Sequence, residues 1–315
     1  MVSATLLRTR PSTISTARRR VSTRWRAVAA NQMFLAPIAV VFVVMFIVPL
    51  AKTVQYSFTD FTGYSLDMHF VGFDNYVRIL TDASMLAGLL FTLAYTVGTT
   101  VVITALAIPL AVILNRKFFG RNFVRSLFFF PAIPSIAILG LVWRYILLPL
   151  GTGVLNTVLH ALFSIGPFPW LSDGTLAQVS VIAVGVWSAT GWHAILYLAY
   201  LQSIPSDYYE AATIDGASRR QQFFHITLPL LTPAIVVSQF LLMTGGLKVY
   251  DLPFTLTGGG PGFATYTLTQ SIIVGGIAQG RYGQASALAV LFTLAVGLLV
   301  FGQLALSRRL ERRIS

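Results

Sequence analysis

At 315 residues, of which 56% are hydrophobic and only 10% charged, the chain has more apolar surface than a globular core has use for, which excludes an ordinary soluble domain. The net charge of +12 does not mark a nucleic-acid binder, because the basic residues sit at the ends of apolar runs and not on a continuous polar face with interleaved aromatics. Without cysteine there is no disulfide, thiolate nucleophile or cysteine-ligated metal, and His69, His160, His193 and His225 lack metal-ligand spacing.

In chain order, residues 1–32 are rich in Arg and Ser and free of acid. They read as a basic cytoplasmic tail; an organellar transit peptide has the same composition, but a retained tail accounts for the arginines without cleavage. Six apolar runs come next, at about 33–51, 86–114, 125–148, 176–201, 228–249 and 285–306, each near the length that a hydrocarbon core of about 30 Å demands of a helix. Pro109, Pro131, Pro134 and Pro233 fall within them, which membrane helices tolerate when neighbours re-satisfy the freed carbonyls.

Orientation is set by Lys and Arg, which are retained on the cytoplasmic side. Seven arginines precede the first run; Arg116, Lys117, Arg121 and Arg125 join the second to the third, Arg219 and Arg220 the fourth to the fifth, and Arg308, Arg309, Arg312 and Arg313 lie after the sixth. Seventeen of the 22 basic residues thus fall on one side. The expected architecture is an all-α integral membrane protein with six transmembrane helices and both termini cytoplasmic: a tail over 1–32, a transmembrane domain over 33–306 and a second tail over 307–315.

The connection between the fourth and fifth runs, residues 204–229, holds Glu210, Asp215, Arg219 and Arg220. Placing these four at bilayer depth would cost about 10–14 kcal/mol, so the loop belongs in the cytoplasm. Ser206 is a candidate N-cap, Asp207 and Glu210 suit the positive end of a short helix of about nine residues, and Gly216 suits its left-handed stop. Ser218 to Gln221 fits a capping box opening a second helix, which runs into Leu228-Pro229. A helix this short is marginal in water and needs a surface to lie on. From the residues alone, two surfaces qualify: the lipid headgroups and a partner protein.

The string Glu210-Ala211-Ala212, three residues, Gly216, nine residues, Ile226, one residue, Leu228-Pro229 matches each fixed position of the EAA motif and resembles that of ABC importer permeases. The resemblance implies a coupling helix that seats in a cleft of a cytoplasmic ATPase dimer. Glu210 would meet a basic residue there, Ala211 and Ala212 would permit close approach, Gly216 would make the bend, and Asp215 and Arg219 would line the same contact. It covers almost all of residues 33–306: FVGFDNYVRIL (70–80) and GLKVYDLPFTLTGGGPGFATYTL (246–268), with the alanine-rich run after Tyr282-Gly283, are similar to segments of carbohydrate permeases. The larger channel subunit of maltose-type transporters is the form most resembled. That implies a distinct second permease completing a heterodimeric channel, an extracytoplasmic solute-binding protein, a sugar or oligosaccharide as cargo, and the plasma membrane of a prokaryote, with membrane lipid around it.

The chain has no Walker sequence, and GGGPG (258–262) lacks the following Lys-Ser/Thr and the preceding strand of a phosphate loop. The chain is therefore expected to be non-catalytic and to bind no cofactor itself, ATP and Mg being used by the partner. Sugars are held by aromatic faces and hydrogen-bonding groups. In the fourth run Trp187, Ser188, Trp192, His193 and Tyr197, and at the fifth Gln239, Gly246, Lys248, Tyr250 and Asp251, resemble pathway-lining positions. Several have a plainer reading: Trp187 and Tyr197 as packing or interfacial anchors, His193 as a satisfied bundle histidine, and Lys248 and Asp251 as a pair with each other. Arg144, near the outer end of the third run, reads as a snorkelling end residue. An ion-coupled secondary transporter is the rival reading, against which stands the absence of Asp or Glu within any span. A polyol or a glycerol phosphate ester is an alternative cargo for the same machinery.

Overall fold

The computed structural model describes residues 35–65, 67–149 and 153–314; the basic tail over 1–32 lies outside the described residues. The first apolar helix, α1 (Leu35–Ser57), is 23 residues long, enough to cross a bilayer. The chain through Gln55 forms one unit and Tyr56–Ser315 the other.

Within the second unit, α2 (Asp74–Thr81) leads into α3 (Ala83–Asn115), which at 33 residues is long enough to overshoot the hydrocarbon. The helices α7 (Gly174–Leu201) and α13 (Tyr282–Ile314, apolar through Gln303) are the other uninterrupted spans. The tail expected over 307–315 is thus helical as far as Ile314. No strand forms among the described residues; Thr59 and Phe70 make one isolated antiparallel bridge.

The third and fifth expected spans are each broken into two helices at their prolines. Helix α4 (Arg121–Ala132) meets α5 (Ile136–Ile146) at 95°. Pro131 and Pro134 remove two backbone donors at the junction and clash with a continued helix, so the chain turns there. Helix α9 (Arg219–Leu230) meets α10 (Thr232–Leu247) at 63°, with Pro233 just inside the start of α10. The second helix of the 204–229 loop is therefore continuous with the first turns of the expected fifth span, and the break falls after Leu230. Pro109, by contrast, lies inside α3 without interrupting it. Short helices α6 (Val154–Phe163), α11 (Asp251–Thr257) and α12 (Leu268–Gln270) fill the connections between spans.

Lipid tails are as apolar as leucine, so helices in a bilayer associate chiefly by close packing, which favours small residues where they meet. The core obeys that rule: Ala107 and Ala111 of α3, Ala177 and Ala194 of α7 and Ala234 of α10 are fully buried. Around Ala107, Ala111, Ala194 and Ala234, the residues Ile103, Leu114, Tyr197, Leu198 and Leu231 form a large apolar cluster. At Gly191, α7 lies so close to the main chain of α4 that a Cβ would overlap the carbonyl oxygen of Phe128. That contact seats the bent third span against the bundle.

Asp82 closes the far end of α3, accepting from the backbone of Ser84 (2.9 Å) and Met85 (3.2 Å) and from the Ser84 hydroxyl (2.6 Å). Arg281, just before α13, approaches it at 3.5 Å. The Ser84 hydroxyl first, then the backbone N–H groups and Arg281, hold the Asp82 carboxyl below its ordinary range against the opposing effect of burial.

This packing predicts two outcomes. Gly191→Ala should lower the melting temperature of the detergent-purified protein through overpacking of about 1–3 kcal/mol. Gly297→Ala on α13, with nothing within 4 Å of the added methyl, should leave it unchanged or raise it. Because the folded-state pKa of Asp82 lies below its ordinary value of 3.8, its stabilisation is present above that pH and lost as pH falls through the folded value. Asp82→Ala should therefore cost about 1 kcal/mol at neutral pH, and melts in a pH series should show the gap from wild type closing below about pH 4.

Candidate functional site

The 204–229 loop is held in shape by its own hydrogen bonds. Its first helix, α8 (Asp207–Ile214), is eight residues long. Ser206 occupies the N-cap position, but its backbone is already helical (φ −62°, ψ −28°) and its side chain makes no capping bond, which corrects the expected cap. At the other end the Ala217 N–H donates to the Ala212 carbonyl (2.8 Å) and the Gly216 N–H to that of Thr213 (3.1 Å), the paired bonds of a Schellman stop. Gly216 sits at φ +79°, a conformation that costs a residue with a Cβ about 1–2 kcal/mol. The capping box is formed as expected: Gln221 donates its N–H to the Ser218 hydroxyl, and its Oε1 accepts the Ser218 N–H at 2.8 Å.

Further bonds fix α8 to α9. The Gln222 side chain donates to the Thr213 hydroxyl (3.0 Å) and to the Ala217 carbonyl (3.3 Å). The Tyr209 and Thr227 hydroxyls meet at 3.1 Å, so α8 is tied directly to α9 close to the break into α10. The opposite side of the loop is open: Glu210, Ala211, Asp215 and Arg219 are exposed, Ala212 is half-buried, and Tyr208 and Ile214 expose 54% and 87% of their surface. Ile214 lies one helical turn from Glu210, so an apolar and an acidic side chain are bare on the same short helix.

A cleft of about 310 Å³ lies between α3, α5, α7 and the α10–α11 connection. Of the residues expected along a pathway, it brings together Ser188, Gly246, Lys248, Tyr250 and Asp251. Lys248 and Asp251 do not form the expected ion pair. Both line the cleft, along with Tyr95 and Thr99, which the sequence reading does not single out. Tyr95 is buried, and Gly185 leaves room for its ring, since a Cβ there would stand 2.5 Å from the Tyr95 hydroxyl. A hydroxyl-rich helix face is the signal that could have found it: Thr92, Tyr95, Thr96 and Thr99 recur at helical spacing.

The other expected pathway residues lie elsewhere. Trp187 packs edge-on against Trp143 at 5.3 Å. Trp192 and His193 line a separate cleft of about 290 Å³ with Pro131 and Pro134, which Ser188 also borders. The His193 Nδ1 pairs with the Ser238 hydroxyl at 2.7 Å, as a satisfied bundle histidine does. Gln239 borders neither cleft.

Residues 103–315 match the family of binding-protein-dependent transport system inner membrane components. The chain belongs to that family. It is 30% identical over 279 residues to the probable starch degradation products transport system permease protein AmyD of Thermoanaerobacterium thermosulfurigenes, covering 89% of this chain and 94% of that one. It is 32% identical over 269 residues to the trehalose/maltose transport system permease protein MalF of Thermococcus litoralis, covering 85% and 90%. Among solved structures, a bacterial ABC transporter involved in the import of the acidic polysaccharide alginate has a chain of the same fold, with a TM-score of 0.80 at 23% identity over 92% of this chain and 99% of that one. The protein is thus a multi-pass ABC importer permease.

In this permease the bond between Tyr209 and Thr227 offers a direct test of the loop's rigidity. Tyr209→Phe and Thr227→Val should each destabilise by about 0.5–1.5 kcal/mol. Because both remove the same bond, the double variant should melt close to the weaker single one; additive losses would show that the two side chains act separately.

Proposed function

We propose that this permease is one of two non-identical subunits lining the channel of an ATP-driven importer for a neutral sugar or oligosaccharide, with α8 as its seat on the ATPase. The observation that carries the reading is the form of the 204–229 loop: a short helix stopped by Gly216, bonded to the fifth span through Tyr209 and Thr227, with Glu210, Ala211 and Ile214 bare on its free side. In this role Glu210 meets a basic residue of the ATPase, Ala211 and Ala212 let the helix approach closely, and Asp215 and Arg219 flank the contact. The loop and both termini face the cytoplasm, where the ATPase dimer binds ATP and Mg and performs the hydrolysis; the permease holds no cofactor. A solute-binding protein delivers cargo on the opposite side.

The cleft beside Tyr95 is the proposed cargo site. Its charged lining, Lys248 and Asp251, sums to no net charge, which suits a neutral polyhydroxy ligand better than a phosphate ester. The names of the relatives, which concern starch degradation products and trehalose/maltose, support the same class. Transport then depends on differential contact: ATPase closure moves α8, and the two states of the bundle must differ in how they hold α8, or no work is transmitted.

In proteoliposomes containing the assembled transporter, Glu210→Lys and Gly216→Val should leave membrane insertion intact while ATP-dependent sugar uptake collapses, by roughly tenfold or more for a coupling loss above about 1.4 kcal/mol, and ATPase co-purification weakens. Normal uptake by both variants would refute the assignment of α8.

A further inference from the structure

A cleft of about 810 Å³, separate from the cargo cleft, opens between the end of α3 and the start of α9. Its charged lining is wholly basic: Arg116, Lys117, Arg219 and Arg220. Ion pairs among the described residues join only His69 to Asp60, Arg78 to Asp74 and Arg281 to Asp82, so none of the four cations has a carboxylate partner there. Four uncompensated cations around one concavity repel one another and favour an anion between them. Tyr209 and Phe223 also line the cleft, giving it a hydroxyl and an apolar wall beside the charge.

Its level relative to the bilayer identifies the anion. The bare side of α3 stays apolar through Ile113, which is 53% exposed, and Arg116 is the C-cap three residues later, so the cleft begins where that apolar surface ends. The residues beside the cations are aromatic and bare: Phe119 is fully exposed, Phe123 is 73% and Phe224 50% exposed, and the Arg220 guanidinium lies 6.0 Å from the Phe224 ring. Rings and cations alternating at the end of a span belong at the headgroup level, where the rings enter the acyl boundary and the cations meet phosphate. We propose that this cleft binds the phosphate headgroup of an anionic phospholipid, with Arg116 and Lys117 on one wall and Arg220 on the other, Arg219 at its rim being the residue that flanks the proposed ATPase contact. An acidic protein segment would use the cations but leave the phenylalanines in water.

Arg116 and Lys117 lie outside the 204–229 loop, so they can be changed without touching the proposed ATPase seat. The test is native mass spectrometry of the full-length permease, released from detergent containing equal phosphatidylglycerol and phosphatidylcholine. Wild type should retain phosphatidylglycerol preferentially. Arg116→Gln with Lys117→Gln should weaken that preference by about 25-fold, near fivefold for each cation removed. The charge-keeping pair Arg116→Lys with Lys117→Arg should retain it, which separates loss of charge from loss of fold. Equal retention of both lipids by wild type, or an unchanged preference in the Gln pair, would overturn the proposal. So would displacement of the lipid by millimolar inorganic phosphate, which would mark a soluble-phosphate site. Loss of the retained lipid when the ATPase is bound would assign the cleft to an acidic protein surface and overturn it as well.

Discussion

Inside a bilayer each backbone N–H and C=O must find a partner within its own helix or on a neighbour, because no water is there to take its place. That constraint makes continuous helices of α3, α7 and α13, and it decides where the chain is allowed to stop being one. The two breaks, between α4 and α5 and between α9 and α10, fall where prolines have already removed donors. The first is also packed against α7, whose Gly191 touches the carbonyl of Phe128. Interruption is tolerated where protein covers it.

The second break has a mechanical consequence. Helix α8 is bonded to Thr227, near the end of α9, and α10 begins just past the bend with its far end forming the cleft wall from Leu241 to Gly246. A displacement applied to Ile214 and Glu210 therefore passes through the hydrogen bonds from α8 to Gln222 and Thr227, one short helix and one proline-marked joint before reaching the proposed cargo site. A loop on flexible coil would dissipate it. The Schellman stop, the capping box and the Gln222 bonds to Thr213 and Ala217 leave little coil in which to do so.

Features fixed by local chemistry are legible in the sequence, and those fixed by tertiary geometry are not. Apolar run length marks the spans, and Gly216 with the Ser218–Gln221 box marks the loop, since each depends on residues a few positions apart. Pro131 and Pro134 announce an interruption, but its 95° angle is set by packing against α7 and α11. Residue type alone makes Ser206 a cap; its helical backbone angles deny its hydroxyl the geometry for that bond. Lys248 and Asp251 have the i,i+3 spacing of a pair, which brings side chains together only on a continuous helix. Here α10 ends at Leu247, and Tyr250 has a φ of −142°, so the two side chains part. The cleft residues nearest the end of the fifth span are legible because they cluster in sequence; Tyr95 lies far upstream, and only the fold brings it to them.

The hydroxyls around the proposed cargo site would match a polyhydroxy ligand. Thr99 donates to the carbonyl of Tyr95 at 2.7 Å and Ser188 to that of Gly185 at 2.9 Å, so each spends its proton on its own helix and offers only lone pairs outward. Asp251 likewise only accepts when ionised, while the Lys248 ammonium only donates and the Tyr95 hydroxyl can do either. A sugar hydroxyl both donates and accepts, and can meet each kind of partner by rotating one bond. Lys248 and Asp251 are exposed, so an apolar molecule covering them would leave each without a hydrogen bond, at a cost of about 1–3 kcal/mol. A sugar's hydroxyls would replace those bonds, so the proposed cargo site would favour a sugar over an apolar molecule of equal size.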